Sequence, residues 1–158
     1  MKLSVQKLTS TSLAPTNKLY VSVSDYTTLR NPRYVLANTM VYMVEAHRDV
    51  PKGAVWTSSP QRNSMNAAIG EAVDVKPYVP GDSELATTRI VFATGLFENK
   101  PATVDAKDLR AFMKASFTDH VFTKGQRLML PIRGTIFKFA VSEVDSVVAG
   151  GEVVKGVS

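Results

Sequence analysis

Few side chains in this sequence could do acid–base chemistry. His120 follows Asp119, and Glu143 and Asp145 stand two apart in what reads as a strand, so both point to one face, as paired acids do in hydrolases. Adjacent residues rarely face each other, so His120 beside Asp119 reads as a solvated helix end. Nothing nearby supplies a second element to position a substrate, so Glu143 and Asp145 read as a surface charge pair. His47 is far from His120 in sequence. There are no cysteines, which removes disulfides, thiolate zinc sites and thiol nucleophiles together. No phosphate loop, dinucleotide fingerprint, nucleophile elbow or H-E-x-x-H helix is present. The expectation is a chain with no catalytic residue, no metal ligand set and no cofactor of its own.

The basic residues carry the remaining signal. Arg62 stands in "SPQRNSMNAAIGEAVDV", where Pro60 fixes its own φ and biases Ser59 toward extended backbone. This stretch reads as a Pro-Gln-Arg turn leading into a strand. An arginine held on such a turn loses less entropy on pairing with a carboxylate. Taken alone, it reads first as a structural arginine bonding local carbonyls. Lys107, Arg110 and Lys114 share one helical stripe, which reads as a solvated face. Lys2, Lys7, Arg30 and Arg33 are scattered through the N-terminal strands. The aromatic residues, such as Phe137, Phe139 and Trp56, sit in apolar-periodic positions and read as core rather than as base-stacking platforms.

The elements that must position these residues are mostly short strands. "KLYVSVSDY" alternates Leu19, Val21 and Val23 against polar positions. "RYVLANTMVYMVEAH" reads as two strands broken at Ala-Asn, "AVWTSS" and "EAVDVKPY" as two more. "PYVPGDSE" is the best linker candidate, and "ATTRIVFATGLF" resumes a strand. The period then changes: Leu109, Phe112, Met113 and Phe117 recur at helical steps, with Asp105 where an N-cap belongs. "RLMLPIRGTIFKFAVSEV" reads as a hairpin turning at Arg133-Gly134. The tail "VVAGGEVVKGVS" reads as a linker. The expected architecture is α+β, mostly β: a strand-rich first part over 1–80, an α+β second part over 85–149, and a linker over 150–158.

Composition bounds the class. The 158 residues are 44% hydrophobic and 21% charged, as in a folded globular chain. Net charge is +5 and the pI is near 9.5, which favours an acidic partner without choosing between nucleic acid, phospholipid and protein. No leader and no membrane-spanning run is read, so a cytoplasmic location is expected.

With these pieces in view, the chain resembles the amino-terminal domain family of the N-ethylmaleimide-sensitive factor, a vesicle-fusing AAA+ ATPase. The resemblance rests on "APTNKLYVSVSDY", "VPKGAVWTSSPQR" with "IGEAVDVKPY", and "FTKGQRLMLPIRGTIFKFAVSEVD", whose order and spacing agree over nearly the whole chain. It implies a double-psi β-barrel subdomain followed by a small α+β subdomain. It implies docking of the soluble attachment protein (SNAP) carried on a SNARE bundle, without nucleic acid and without membrane insertion. It further implies ATP, Mg and a homohexamer in a full-length chain, a monomeric isolated domain, and peripheral recruitment to vesicle or Golgi membranes. By position, Arg62, Lys7 and Lys100 match basic residues of the family that meet acidic residues of the attachment protein. The chain departs from the family after P-Q-R, where Asn63-Ser64-Met65-Asn66 replaces the aromatic and glycine often found there. Two other readings stand beside this one. One is a ubiquitin-adaptor-binding domain like that of valosin-containing protein, and the other is a basic nucleic-acid-binding module. An enzyme on the same barrel would need a catalytic constellation that the sequence lacks.

Overall fold

Short strands build the first lobe, alternating in burial in its first and last strands and buried almost throughout in most of those between. A computed structural model describes residues 1–81, 87–96, 106–147 and 153–155. In β1 (Lys2–Lys7) the alternate residues Leu3 and Val5 are buried. A 3-10 turn (Thr11–Thr16) follows, then β2 (Leu19–Val21), the short helix α1 (Val23–Thr28), β3 (Tyr34–Ala37) and β4 (Met40–Ala46). β5 (Ala54–Thr57), α2 (Ser59–Met65) and β6 (Ala72–Tyr78) complete it. The six strands close into a barrel in the order β1-β5-β2-β4-β3-β6, with β6 returning to β1. β1 runs parallel to β5 and β2 parallel to β4, while the other pairings are antiparallel. These two crossed parallel pairs make it a double-psi β-barrel. Its interior is filled by Leu3, Val5, Leu19, Val21, Val35, Val55, Val73 and Val75. Burial of such side chains contributes about 1.5–3 kcal/mol each.

The second lobe packs one helix on an antiparallel sheet. It contains β7 (Thr87–Leu96), α3 (Ala106–Phe117), β8 (Arg127–Ile132), β9 (Thr135–Val147) and β10 (Val153–Lys155). β9 is long enough to pair with β7 over most of its length, with β8 through Thr135–Ala140 and with β10 through Asp145–Val147. β8 and β9 turn at Arg133 (φ +48°) and Gly134 (φ +80°), the paired positive φ values of a type I′ hairpin. Leu109, Phe112, Met113 and Phe117 of α3 pack against Leu128, Leu130, Phe137 and Phe139. Lys107, Arg110 and Lys114 lie on the opposite, exposed face.

The structure revises three readings. The strand expected through Val23 ends at Val21, because Ser22 caps a helix by accepting the Asp25 N–H at 3.0 Å, and Val23 is left exposed. The expected Pro-Gln-Arg turn is helix α2. The Ser58 hydroxyl accepts from the Gln61 N–H, and the Gln61 side-chain carbonyl accepts the Ser58 N–H at 2.8 Å, a complete capping box. Part of the tail expected as a linker is strand β10, whose Val153 and Val154 pair with Val147 and Ser146. Asp105 lies outside the described residues.

Candidate partner-binding site

The two lobes are joined along a seam of buried polar bonds. Asn17 sits after the 3-10 turn at φ +57°, a backbone region that asparagine tolerates. It is 3% exposed, and its side-chain amide donates to the Met129 carbonyl and accepts the Met129 N–H, both at 2.9 Å. Val41 N–H donates to the Thr123 hydroxyl at 3.0 Å, and the Tyr34 hydroxyl donates to the Asp119 carbonyl. Tyr34, Val41 and Val121 form a small shared core around these bonds. Arg33 reaches Asp119 across the seam at 3.0 Å, an exposed pair worth little on its own.

Helix α2 lies on this seam because its faces differ. Gln61 and Met65 are buried toward the barrel, and Gln61 donates to the Lys18 carbonyl at 2.9 Å. Its other edge packs on β8, where the Ser64 hydroxyl accepts the Arg127 N–H at 2.7 Å. Ser59 and Asn63 face solvent.

Arg62 and Lys7 come together at one end of the barrel. The Arg62 guanidinium donates to the Thr57 carbonyl at 2.8 Å and to its hydroxyl oxygen at 3.2 Å. Lys7 is the register partner of Thr57 in the parallel β1–β5 pair, and the Thr57 hydroxyl donates to the Gln6 carbonyl at 3.0 Å. Thr57 thus holds the Arg62 guanidinium beside the strand end that carries Lys7. Arg62 is the local-carbonyl arginine that its surroundings allow, yet it meets no carboxylate among the described residues, and neither does exposed Lys7. Partial burial lowers the Arg62 pKa below its ordinary value, but a guanidinium stays charged at neutral pH. Lys100 lies outside the described residues.

His120 is not a solvated helix end. Its ring packs edge-on against Phe117 at 5.5 Å and stacked on Phe122 at 6.2 Å, and both ring nitrogens are buried without a hydrogen bond. Burial, with Lys18 and Arg33 nearby, lowers its pKa, although favourable contacts with the backbone of Thr16 and Thr118 oppose this in part. It is a seam residue that sequence reasoning missed. The phenylalanines at its −3 and +2 positions were the available signal.

Elsewhere, a groove of about 830 Å³ runs between the loop after α1 and the end of β6. Its lining includes Arg30, Arg33 and Lys76 together with Tyr34, Tyr78 and Pro80. Among the described residues no three His, Asp or Glu side chains gather as a metal site would need. No described helix is long and apolar enough to cross a membrane, which says nothing of β-barrels.

Comparison with known proteins agrees with this fold. A family model described as "Cell division protein 48 (CDC48), domain 2" matches residues 103–153, in the second lobe. The chain is 26% identical over 151 residues to the vesicle-fusing ATPase of Arabidopsis thaliana, covering 92% of this chain. The chain is built like the amino-terminal domain of a vesicle-fusing ATPase. The resemblance read from the ordered sequence pieces holds over both lobes. The chain spans 20% of the length of that relative, so the relative's ATPase activity concerns a protein much longer than the segment seen here.

Proposed function

We propose that this domain is an adaptor-docking module of a vesicle-fusing ATPase, gripping an acidic attachment protein (SNAP) on a SNARE bundle so that the full-length chain can pull the bundle apart. In that chain ATP and Mg would serve the ATPase modules, six copies would form a ring, and the protein would reach vesicle or Golgi membranes through its partner. The observation that carries this reading is the pairing of Lys7 and Arg62 about Thr57, with no neutralising carboxylate among the described residues. Two such cations raise the encounter rate with a negative surface more than they raise final affinity. Exposed pairs contribute only ~0.2–1 kcal/mol each, so grip comes from several contacts multiplied across a ring. Lys100 is proposed as a third contact on the resemblance read from the sequence alone.

A second reading is favoured by the match to CDC48 domain 2 and by the groove beside Tyr34 and Tyr78. It is docking of a ubiquitin-linked adaptor of the kind that valosin-containing protein takes. One experiment separates these readings and the nucleic-acid alternative. The domain is titrated with attachment protein, with a ubiquitin-fold adaptor and with duplex DNA over a range of salt. The proposal expects binding to the attachment protein with a moderate salt slope. Binding only to DNA, with the steep slope of counterion release, contradicts it.

A further inference from the structure

Helix α2 has cations on both flanks of its exposed face, one set from each lobe. On the barrel side stand Arg62 and Lys7. On the other side Arg127 begins β8 directly beside Ser64, its side chain exposed and paired with no acid among the described residues. Both segments that meet here are free of acids: residues 57–70 contain no Asp or Glu, and neither do residues 121–134. The nearest acid is Glu71, whose carboxylate accepts the Ala68 N–H at 2.9 Å in the turn beyond α2, so the face keeps an excess of positive charge with one carboxylate at its edge.

An apolar residue stands at the edge of the same face. The turn after α2 begins where the Ala67 N–H donates to the Arg62 carbonyl at 3.0 Å. It ends against β1, where the Gly70 N–H donates to the Val5 carbonyl at 2.8 Å, two residues before Lys7. Between these anchors Ile69 is 56% exposed, one of four large hydrophobic residues left on the described surface. Its turn is held at both ends, so the side chain is presented on a fixed backbone. An apolar anchor rimmed by charge is the usual composition of a protein-binding patch. A phosphate backbone offers nothing for a branched aliphatic side chain to bury against, so an acidic protein face fits better than nucleic acid.

We propose that the outer face of α2, the turn bearing Ile69 and the start of β8 form one docking surface for an acidic protein, with Ile69 as its apolar anchor and Arg127 as the cation supplied by the second lobe. This rests on the docking reading above and extends it across the seam to residues that the family match does not assign. Ser64 joins α2 to β8, so the two lobes present their cations at a fixed spacing. A partner touching both Arg62 and Arg127 therefore reads the docked arrangement of the lobes, not either lobe alone.

The test measures binding of purified attachment protein, loaded on a SNARE bundle, to the wild-type domain and to Arg127→Glu, Arg127→Gln, Ile69→Ser and Arg62→Glu. Lys52→Glu, an exposed change at the far end of β1, is the control. Arg127→Glu should weaken binding roughly 2–10-fold, with Arg127→Gln intermediate. Ile69→Ser should weaken it roughly fivefold or more. Lys52→Glu should leave it unchanged, and every variant except Arg62→Glu, which loses its bonds to Thr57, should melt as wild type does. If Arg127→Glu and Ile69→Ser bind like Lys52→Glu while Arg62→Glu is weakened, this extension is overturned and the docking reading survives. If the wild-type domain does not bind the attachment protein, both fall.

Discussion

The side-chain amide of Asn17 pairs with both backbone groups of Met129, taking the place of a strand neighbour across the seam between the lobes. The pairing is buried, so its loss leaves an N–H and a carbonyl without partners, at about 1–3 kcal/mol for each. Asn17 also holds a left-handed backbone, which makes Asn17→Gly the informative change: glycine accepts φ +57° but lacks the amide. We expect Asn17→Gly to lower the thermal midpoint by several degrees, at roughly 2–4 °C per kcal/mol for a chain of this size. Hydrogen exchange at the Met129 N–H should accelerate more than exchange within β1. Equal protection at Met129 in the variant would show that the lobes are held by other contacts.

The Ser58 cap decides how firmly α2 is held on that seam. Ser58→Ala removes one half of the capping box and should cost about 1 kcal/mol. Because α2 carries Arg62 and touches β8, the same change should weaken partner binding beyond what the midpoint shift explains. Denaturant unfolding and partner titration on one sample check both. A variant as stable as wild type would mean that the cap is dispensable.

His120 makes stability depend on pH. Its folded pKa lies below the ordinary 6.5, so between those two values the unfolded chain binds more protons than the folded one. Stability from this group is complete above about pH 6.5 and is lost as pH falls through 6.5 toward the folded value. Protonation would place a third cation beside Lys18 and Arg33, with Asp119 already engaged by Arg33 and Lys18 by Glu45. We expect His120→Phe, measured against wild type by denaturant unfolding from pH 7.5 to 5, to lose less stability on acidification. Parallel curves for the two proteins would contradict this.

Much of the fold was legible because alternation is a strong signal when one face of a strand is buried. Val73 and Val75, and the helical spacing of Leu109, Phe112, Met113 and Phe117, each place their elements without further information, whereas the strand Lys2–Lys7 went unread and Lys7, expected ahead of the first strand, lies in it. The type I′ turn at Arg133-Gly134 was equally plain. The misreadings fell where a serine competes with the strand pattern. Ser22 and Ser58 satisfy backbone donors three residues on, and that local bond outweighs the apolar alternation through Val23 and the proline of "SPQR". The pattern S-x-x-Q was present and marks a helix start. The site was only half legible. A basic residue in a promising segment can be named from sequence. The approach of Lys7 to Arg62 through Thr57 depends on a parallel pairing of strands about 50 residues apart, which periodicity does not specify. The position of His120 depends on the seam and left only its neighbouring phenylalanines as a hint.

Arg62 tests the central claim most directly, because its structural bonds can be separated from its charge. The Thr57 carbonyl also accepts the Leu8 N–H at 3.2 Å, so it keeps a partner when Arg62 is removed. Arg62→Gln and Arg62→Glu should therefore each cost only about 0.5–1.5 kcal/mol of stability. The decisive measurement is the association rate of the attachment protein with wild type, Arg62→Gln and Arg62→Glu at low and high salt. The account predicts a graded fall in rate from wild type to Gln to Glu, largest at low salt and nearly erased at high salt. Three equal rates at low salt would contradict it.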